Sequence, residues 1–260
     1  MCGKWRECLE YAAHHRELGE KAQSSDRLAW NFLPQSFANY GLGNLAVAEK
    51  ACDDGLEMSE RLGDERLAAF MAGWTAMIAA EQGRVDEAVP LADAAIARGD
   101  ALGLKTGQLE SRRVRACIAQ LQGDHQAVLE LIDQMEIILE GTDESIQPVW
   151  MGPTRCASLV ATGRLEEAEQ HLETTLDAAR RADMPHWEAM ALRVRGQLNA
   201  ARGDEGAKRA DLDAAIEIFE GTESRLELAR TLVLRGQEDD LARAREIFEA
   251  CGAAGDLARL

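Results

Sequence analysis

Glycine recurs in this chain at a fixed interval of 40 residues. The series is Gly3, Gly43, Gly83, Gly123, Gly163 and Gly203, and Gly236 follows after a shorter interval of 33 residues. A fixed period of about 20 to 50 residues is typical of repeat architectures, in which one supersecondary unit is stacked several times. The period therefore constrains the fold more than any other feature, because the core must form between similar neighbouring units.

The segments on either side of each glycine predict a pair of helices. An apolar stretch such as residues 69–78 precedes the glycine, and an amphipathic stretch such as residues 164–170 follows it. Glycine suits the left-handed residue at which one helix ends and the chain reverses. A second break follows each glycine, at Ser24-Ser25-Asp26, Gly63-Asp64, Gly103, Gly141-Thr142-Asp143, Ala182-Asp183-Met184-Pro185 and Gly221-Thr222-Glu223. Each unit is therefore predicted to be helix A, a tight turn, helix B and a short loop.

This pattern predicts an all-α chain that forms a single repeat domain over residues 1–260. A lone B helix is expected at 4–22, followed by six A/B pairs near 26–62, 65–102, 106–140, 146–182, 186–220 and 225–250. Residues 254–260 have the pattern of a further A helix that is cut off. Two interpretations of these ends stay open: the chain is a segment of a longer polypeptide, or its ends are unusually abrupt caps.

Small residues flank the predicted turns. They occur seven residues before the glycine, at Ser36, Ala76, Ala116, Cys156 and Gly196, and five residues after it, at Cys8, Ala48, Ala88 and Ala168. Small side chains at both positions let the two helices of a pair cross closely.

This pattern resembles the tetratricopeptide repeat, whose signature combines a small residue in helix A, a glycine at the turn and an alanine in helix B. The resemblance implies a right-handed superhelical solenoid of antiparallel helix pairs. The chain departs from the family in three ways. Its period is 40 residues and not about 34, no proline closes helix B, and Lys208 replaces a small residue in the fifth unit.

The long form of the repeat resembles the helical arrays of bacterial MalT-like, ATPase-linked signalling regulators, and the stretch 228–249 is the most family-like. In those proteins the array is an interaction or sensor arm, while neighbouring domains carry the chemistry. The resemblance therefore implies a non-enzymatic scaffold that binds a protein or peptide partner. Two alternatives are a small-molecule-sensing domain that controls an attached ATPase, cyclase or transcription module, and an architectural element that assembles into a homo-oligomer.

A ligand is expected on the concave side of such an array, which the A helices line. Positions 13, 10, 6 and 3 before each glycine fall on one side of helix A. The candidate residues at these positions are Trp30, Leu33, Phe37, Tyr40, Phe70, Met77, Arg113, Trp150, Arg193 and Gln197. They would suit a peptide with apolar anchors and a carboxylate oriented by the two arginines. The alternative is that the aromatic residues pack against a preceding repeat or fill a tightly wound superhelix.

Arginine also recurs eight residues before the glycine, at Arg115, Arg155 and Arg195. Such a series could bind an anion. The helical wheel instead turns it toward helix B, which favours structural ion pairs to acids such as Glu87, Glu130 or Glu167. Proline at positions 34, 90 and 153 falls inside predicted helices, where it kinks the helix or marks a misplaced boundary.

Composition and motifs exclude several other functions. The chain has 46 acidic and 29 basic residues and a net charge of −17, which argues against direct contact with nucleic acid or an anionic membrane. No signal peptide is visible, and the longest charge-free apolar stretch, residues 67–80, is shorter than a membrane span. Six widely separated cysteines are expected in the core of a cytoplasmic protein. No catalytic, metal or nucleotide motif occurs, so neither enzymatic activity nor a cofactor is expected.

Overall fold

The computed structural model describes residues 3–140 and 147–260, and this part of the chain is built from α-helices without strands. The helices are α1 (Trp5–Lys21), α2 (Ser25–Trp30), α3 (Phe32–Gly41), α4 (Leu45–Leu62), α5 (Glu65–Glu81), α6 (Val85–Leu102), α7 (Lys105–Leu121), α8 (His125–Leu139), α9 (Gln147–Ala161), α10 (Leu165–Arg181), α11 (Pro185–Ala201), α12 (Glu205–Gly221), α13 (Arg225–Arg235), α14 (Asp240–Cys251) and α15 (Ala254–Leu257). The predicted all-α class is confirmed. The predicted break at Gly141-Thr142-Asp143, the predicted start of the fourth pair at residue 146, and Cys2 lie outside the described residues.

The helix boundaries follow the sequence pattern with one main difference. The first helix of the first pair, expected to be continuous, is divided into α2 and α3 at Asn31. Pro34 lies in the first turn of α3 and has no N–H group to donate to the carbonyl of Trp30. Pro90 and Pro153 lie inside α6 and α9, as the predicted boundaries required.

The periodic glycines adopt the left-handed conformation that the sequence pattern predicts. Their φ angles lie between +71° at Gly43 and +90° at Gly3. The residue after the glycine then donates its N–H back to a carbonyl five residues earlier. Arg84 donates to Ala79 at 2.8 Å, and Arg164 donates to Leu159 at 2.8 Å. This bond satisfies a carbonyl that the helix end leaves free, and it fixes the reversal into the next helix.

The helices pack as consecutive pairs, in a helical repeat-like arrangement. The first helix of each pair contacts its own partner and also the first helix of the next pair, in the order α3, α5, α7, α9, α11 and α13. The second helix of each pair contacts the first helix of the next pair. Most of the small residues expected at the crossings are buried, including Ala76, Cys156 and Ala168, whereas Cys8 is half-buried. The first helices of the pairs therefore form a continuous inner layer.

The apolar stretch at residues 67–80 forms most of α5 and lies in the core, where Leu67, Met71 and Ile78 are fully buried. Within the described ranges, none of the helices is long and apolar enough to cross a membrane. Three of the cysteines, Cys52, Cys156 and Cys251, are buried with free thiols.

The N-terminal helix joins the two ends of the array. α1 packs against α3, and its first residue, Trp5, also reaches the fifth and sixth pairs. The indole N–H of Trp5 donates to Ser224 Oγ at 2.9 Å, and His186 Nδ1 lies 2.9 Å from the same oxygen. The Trp5 and His186 rings meet edge to face with their centres 5.0 Å apart. Residues about 180 to 220 positions apart in sequence are therefore in contact.

Polar contacts between α13 and the first pair add to this junction. Arg225 donates from Nε to the carbonyl of Leu42 at 2.6 Å and from Nη2 to Asn44 Oδ1 at 2.5 Å. On the exposed side, Lys4 Nζ lies 2.7 Å from Asp183 Oδ2, and Arg6 pairs with Glu223. The first and last helices thus close on each other.

Replacing Gly41 with alanine is expected to weaken this closure. A methyl group there would lie 2.5 Å from atoms of the Trp5 ring, so the ring must move away from Ser224. Overpacking of this kind costs about 1–3 kcal/mol. The measurement is the free energy of unfolding from urea denaturation.

Gly221→Ala is the matched control, because Gly221 is also the last residue of a helix and a methyl group there meets nothing within 4 Å. This variant should equal or exceed the wild type in stability, since alanine lowers the entropy of the unfolded chain. Equal stability of both variants would contradict the closure described.

Candidate functional site

A cavity of about 680 Å³ lies between the inner helices. We call it the central cavity. Residues from α3, α5, α7, α9, α11 and α13 line it, together with Asp256 and Arg259 near the end of the chain. A cavity of about 300–1,000 Å³ is the usual size of a small-molecule site. The contacts of the first and last helices therefore bound a partly open space of ligand size.

One wall of the central cavity is apolar and partly aromatic. Phe37 and Tyr40 from α3 pack against Trp74 from α5, with ring centres 6.2 Å and 5.3 Å from the indole. Met77 continues this wall along α5, and Met190 faces it from α11. Aromatic faces and methionine side chains favour flat apolar groups.

The central cavity also contains a buried ionic cluster centred on Arg230. Its guanidinium pairs with Glu81, with Glu227 Oε1 at 2.6 Å and with Asp256 Oδ2 at 2.7 Å. The hydroxyl of Tyr40 also donates to Glu81 Oε1 at 2.7 Å. We call these five residues the Arg230 cluster. It connects α3, α5, α13 and α15 and therefore joins the first pairs to the end of the chain.

Burial and neighbouring charges shift the pKa values in the cluster in different directions. Burial alone would raise the pKa of Glu227, but Arg193 and Arg230 lower it to about 2. Burial raises the pKa of Glu81 above its ordinary value, although Arg230 opposes this. Burial also lowers the pKa of Arg230, but Glu81 and Glu227 more than compensate, and the pKa lies above its ordinary value. The guanidinium therefore stays charged among its three carboxylates.

Arg113 and Arg193, which also line the cavity, are likewise paired within the protein. Arg113 Nη2 lies 2.6 Å from Glu110 Oε1, and its guanidinium carbon lies 5.5 Å from the centre of the Trp74 ring. Arg193 Nη1 lies 2.5 Å from Glu227 Oε2. Both were predicted to orient a ligand carboxylate. In the structure both guanidinium groups already form ion pairs with carboxylates of the chain itself.

A smaller pocket of about 230 Å³ adjoins the central cavity and shares Phe37, Trp74 and Arg113 with it. We call it the side pocket. Its wall is mainly apolar and includes Trp150 from α9. The indole N–H of Trp150 is buried and has no hydrogen-bond partner among the described residues.

The structure distributes the ten predicted ligand residues over three environments. Phe37, Tyr40, Met77, Arg113, Arg193 and Gln197 line the central cavity. Leu33, Phe70 and Trp150 line the side pocket, together with the shared Phe37 and Arg113. Trp30 lines neither space. Its indole N–H donates to Asp64 Oδ2 at 2.7 Å, and the Arg66 guanidinium covers its ring at 4.4 Å.

The recurring arginines form structural ion pairs, but the partners predicted for them were wrong. Arg195 pairs with Asp211 of its own helix pair, at 2.5 Å for the shortest contact. Arg115 pairs with Asp93 at 3.0 Å, and Arg155 pairs with Glu136 at 2.6 Å.

Antiparallel geometry explains these partners. A residue eight positions before the turn faces one about eight positions after it, and Asp211 follows Gly203 by eight residues. Glu87 and Glu167 lie only four residues after the turn, and Leu131 and His171 occupy the eighth position in the third and fourth pairs. Arg115 and Arg155 therefore reach the second helix of the preceding pair.

Sequence reasoning missed the residues of the Arg230 cluster except Tyr40. The positions 10, 6 and 3 before a turn glycine, applied to Gly236, would have found part of the cluster. Arg230 lies six residues before Gly236, and Leu226 and Val233 lie ten and three residues before it. All three line the central cavity. The shortened last unit concealed this register. Glu81, a carboxylate that directly follows the apolar stretch of α5, was a second available signal.

Comparisons with known proteins show similarity of fold only. No family model matches the chain, and no curated protein sequence matches it. Among 24 matching chains of solved structures is the crystal structure of BtubC (BKLC) from P. vanneervenii. The two chains are 17% identical, with a TM-score of 0.57 over 83% of this chain and 91% of that chain. Within the described residues, no group of three or more His, Cys, Asp and Glu residues could hold a metal ion.

Replacing Arg230 with methionine is expected to destabilise the protein by about 3–5 kcal/mol, because buried carboxylates then lose their counter-charge. Adding Glu81→Gln to this variant should recover part of the lost stability, since the second substitution removes one unpaired charge. Arg209→Met is the control, because Arg209 is exposed and its one ion pair with a described residue is a long contact of 3.7 Å with Asp213. Urea denaturation measures all three, and wild-type stability of Arg230→Met would refute the role given to the cluster.

Proposed function

We propose that this chain is a non-enzymatic superhelical domain of the tetratricopeptide type that binds a small molecule in its central cavity. The partly open space of about 680 Å³ between the inner helices carries this proposal. The superhelical arrangement is supported by the regular contacts from one pair to the next and by the left-handed glycine at each turn. The role is that of a sensor arm attached to a larger regulatory protein.

The contacts that join the two ends favour a small molecule over a peptide partner. An α-helical segment is about 10 Å wide with its side chains and needs an open groove. Here the contacts of Trp5 with Ser224 and of Arg225 with Leu42 join the ends of the array. A peptide-binding scaffold, the other function that the sequence implies, requires these contacts to open first.

The position of the cavity supports a sensing role. Its walls come from both ends of the array, so a bound ligand contacts the first pairs and the last pair at once. Binding then stabilises the closed arrangement over any open one by the difference in affinity between the two. An attached domain that responds to the position of α13 to α15 would detect the ligand through this closure.

A thermal-shift screen of a metabolite collection tests this function. A ligand present at about 100 times its Kd adds about 2.7 kcal/mol to the stability of the folded state, which raises Tm measurably. The blocking variant is Ala157→Phe, because Ala157 lines the central cavity and a phenyl group there takes up its volume. We expect this variant to lose the shift.

The matched control is Ala94→Phe, which places the same group at an exposed position of α6. It should retain the shift in full. If every hit stabilises the Ala157→Phe variant as much as the wild type, or if the screen yields no hit, the central cavity is not a ligand site.

A further inference from the structure

The central cavity holds charged groups that are already paired and uncharged groups that are not. A ligand carboxylate would have to compete with Glu110 at Arg113, with Glu227 at Arg193 and with three acids at Arg230. A ligand cation would have to displace these same arginines from the carboxylates. Breaking a buried pair leaves one uncompensated charge behind, so either exchange is unfavourable.

The fourth arginine and the two histidines of the cavity also have partners within the protein. Arg259 Nη2 lies 2.8 Å from Asp256 Oδ1, and its Nη1 donates to the carbonyl of Leu121 at 3.0 Å. His125 Nδ1 lies 3.3 Å from Ser158 Oγ. Burial lowers the pKa of His186 to about 4, so this ring carries no charge at neutral pH.

Two half-buried glutamine side chains of the cavity remain available. Gln120 from α7 and Gln197 from α11 both line it, and their amide groups form no hydrogen bond with any described residue. Each amide offers an N–H donor and a carbonyl acceptor side by side. Leaving such groups unpaired is unfavourable once a ligand excludes water from the cavity.

We infer that the ligand of the central cavity is an uncharged molecule with a flat aromatic body and a carboxamide-like edge. The aromatic body lies against the wall formed by Phe37, Trp74 and Met77, and the edge pairs with Gln120 or Gln197. This inference rests on the proposed function and narrows its ligand class. It replaces the carboxylate that the sequence pattern led us to expect at Arg113 and Arg193.

Three probes of nearly identical shape test the inference: 2-naphthamide, 2-naphthoate and 2-naphthamidine, which are neutral, anionic and cationic at pH 7. Isothermal titration calorimetry with the whole chain measures their affinities. We expect 2-naphthamide to bind at least about tenfold more tightly than either charged analogue. Equal or tighter binding of a charged analogue would overturn the inference.

A pair of glutamine variants identifies the contact. Gln197→Leu removes the amide at nearly constant volume and should weaken 2-naphthamide about fivefold to tenfold, with little effect on 2-naphthoate. Gln170→Leu makes the same change at an exposed position of α10 and should leave all affinities unchanged. A circular dichroism melt of each variant verifies folding. If folded Gln197→Leu and folded Gln120→Leu both bind 2-naphthamide as tightly as the wild type does, neither amide pairs with the carboxamide edge, and that assignment is overturned.

The metabolite screen tests the proposed function, and the naphthyl probes test the inference separately. If none of the three naphthyl probes binds, or if the hits of the screen are charged compounds that the Ala157→Phe variant rejects, the inference fails and the ligand site stands. If the screen has no hit that depends on the central cavity, the proposed function fails, and the inference fails with it.

Discussion

The buried contact of Arg230 with Glu81 and Asp256 is the interaction on which the closure of the two ends around the central cavity depends. Removing these charges from water is costly, and the cost is offset only when each carboxylate meets its guanidinium. The three residues come from α13, α5 and α15, so the pairing is complete only when the last helices lie against the second pair. The cluster therefore specifies one arrangement of the two ends, and Trp5 and Arg225 reinforce it on neighbouring surfaces.

The rest of the fold brings the two ends together. The left-handed glycines reverse the chain at regular intervals, and small residues such as Ala76 and Ala168 let the helices of a pair approach closely. The first helices of successive pairs contact each other. The side chains on the face of each first helix that points away from the second helix of its pair therefore share one interior space. The apolar wall at Trp74 and the Arg230 cluster both line this space, and Tyr40 belongs to both. A ligand that fits it would meet an aromatic surface and free amide groups in one site.

The helices and their pairing could be predicted from the sequence, because they depend on local signals such as the glycine at each turn. The candidate residues were placed on the inner helices by the same periodicity, and six of them line the central cavity. The closure could not be predicted in this way. It depends on contacts such as Trp5 with Ser224, which join residues that no local pattern relates. The partners of Arg115 and Arg155 were missed for a similar reason, since they lie on the preceding pair and not on the same one.

Zero-length cross-linking tests the closure of the two ends most directly. A carbodiimide joins an amine to a carboxylate only when the two are in contact, and Lys4 Nζ lies 2.7 Å from Asp183 Oδ2 on an exposed part of the junction. Mass spectrometry of the monomeric fraction should then identify a peptide pair linked through Lys4 and Asp183. If Lys4 is linked only to carboxylates close in sequence, such as Glu7, or only to another molecule, the two ends do not meet.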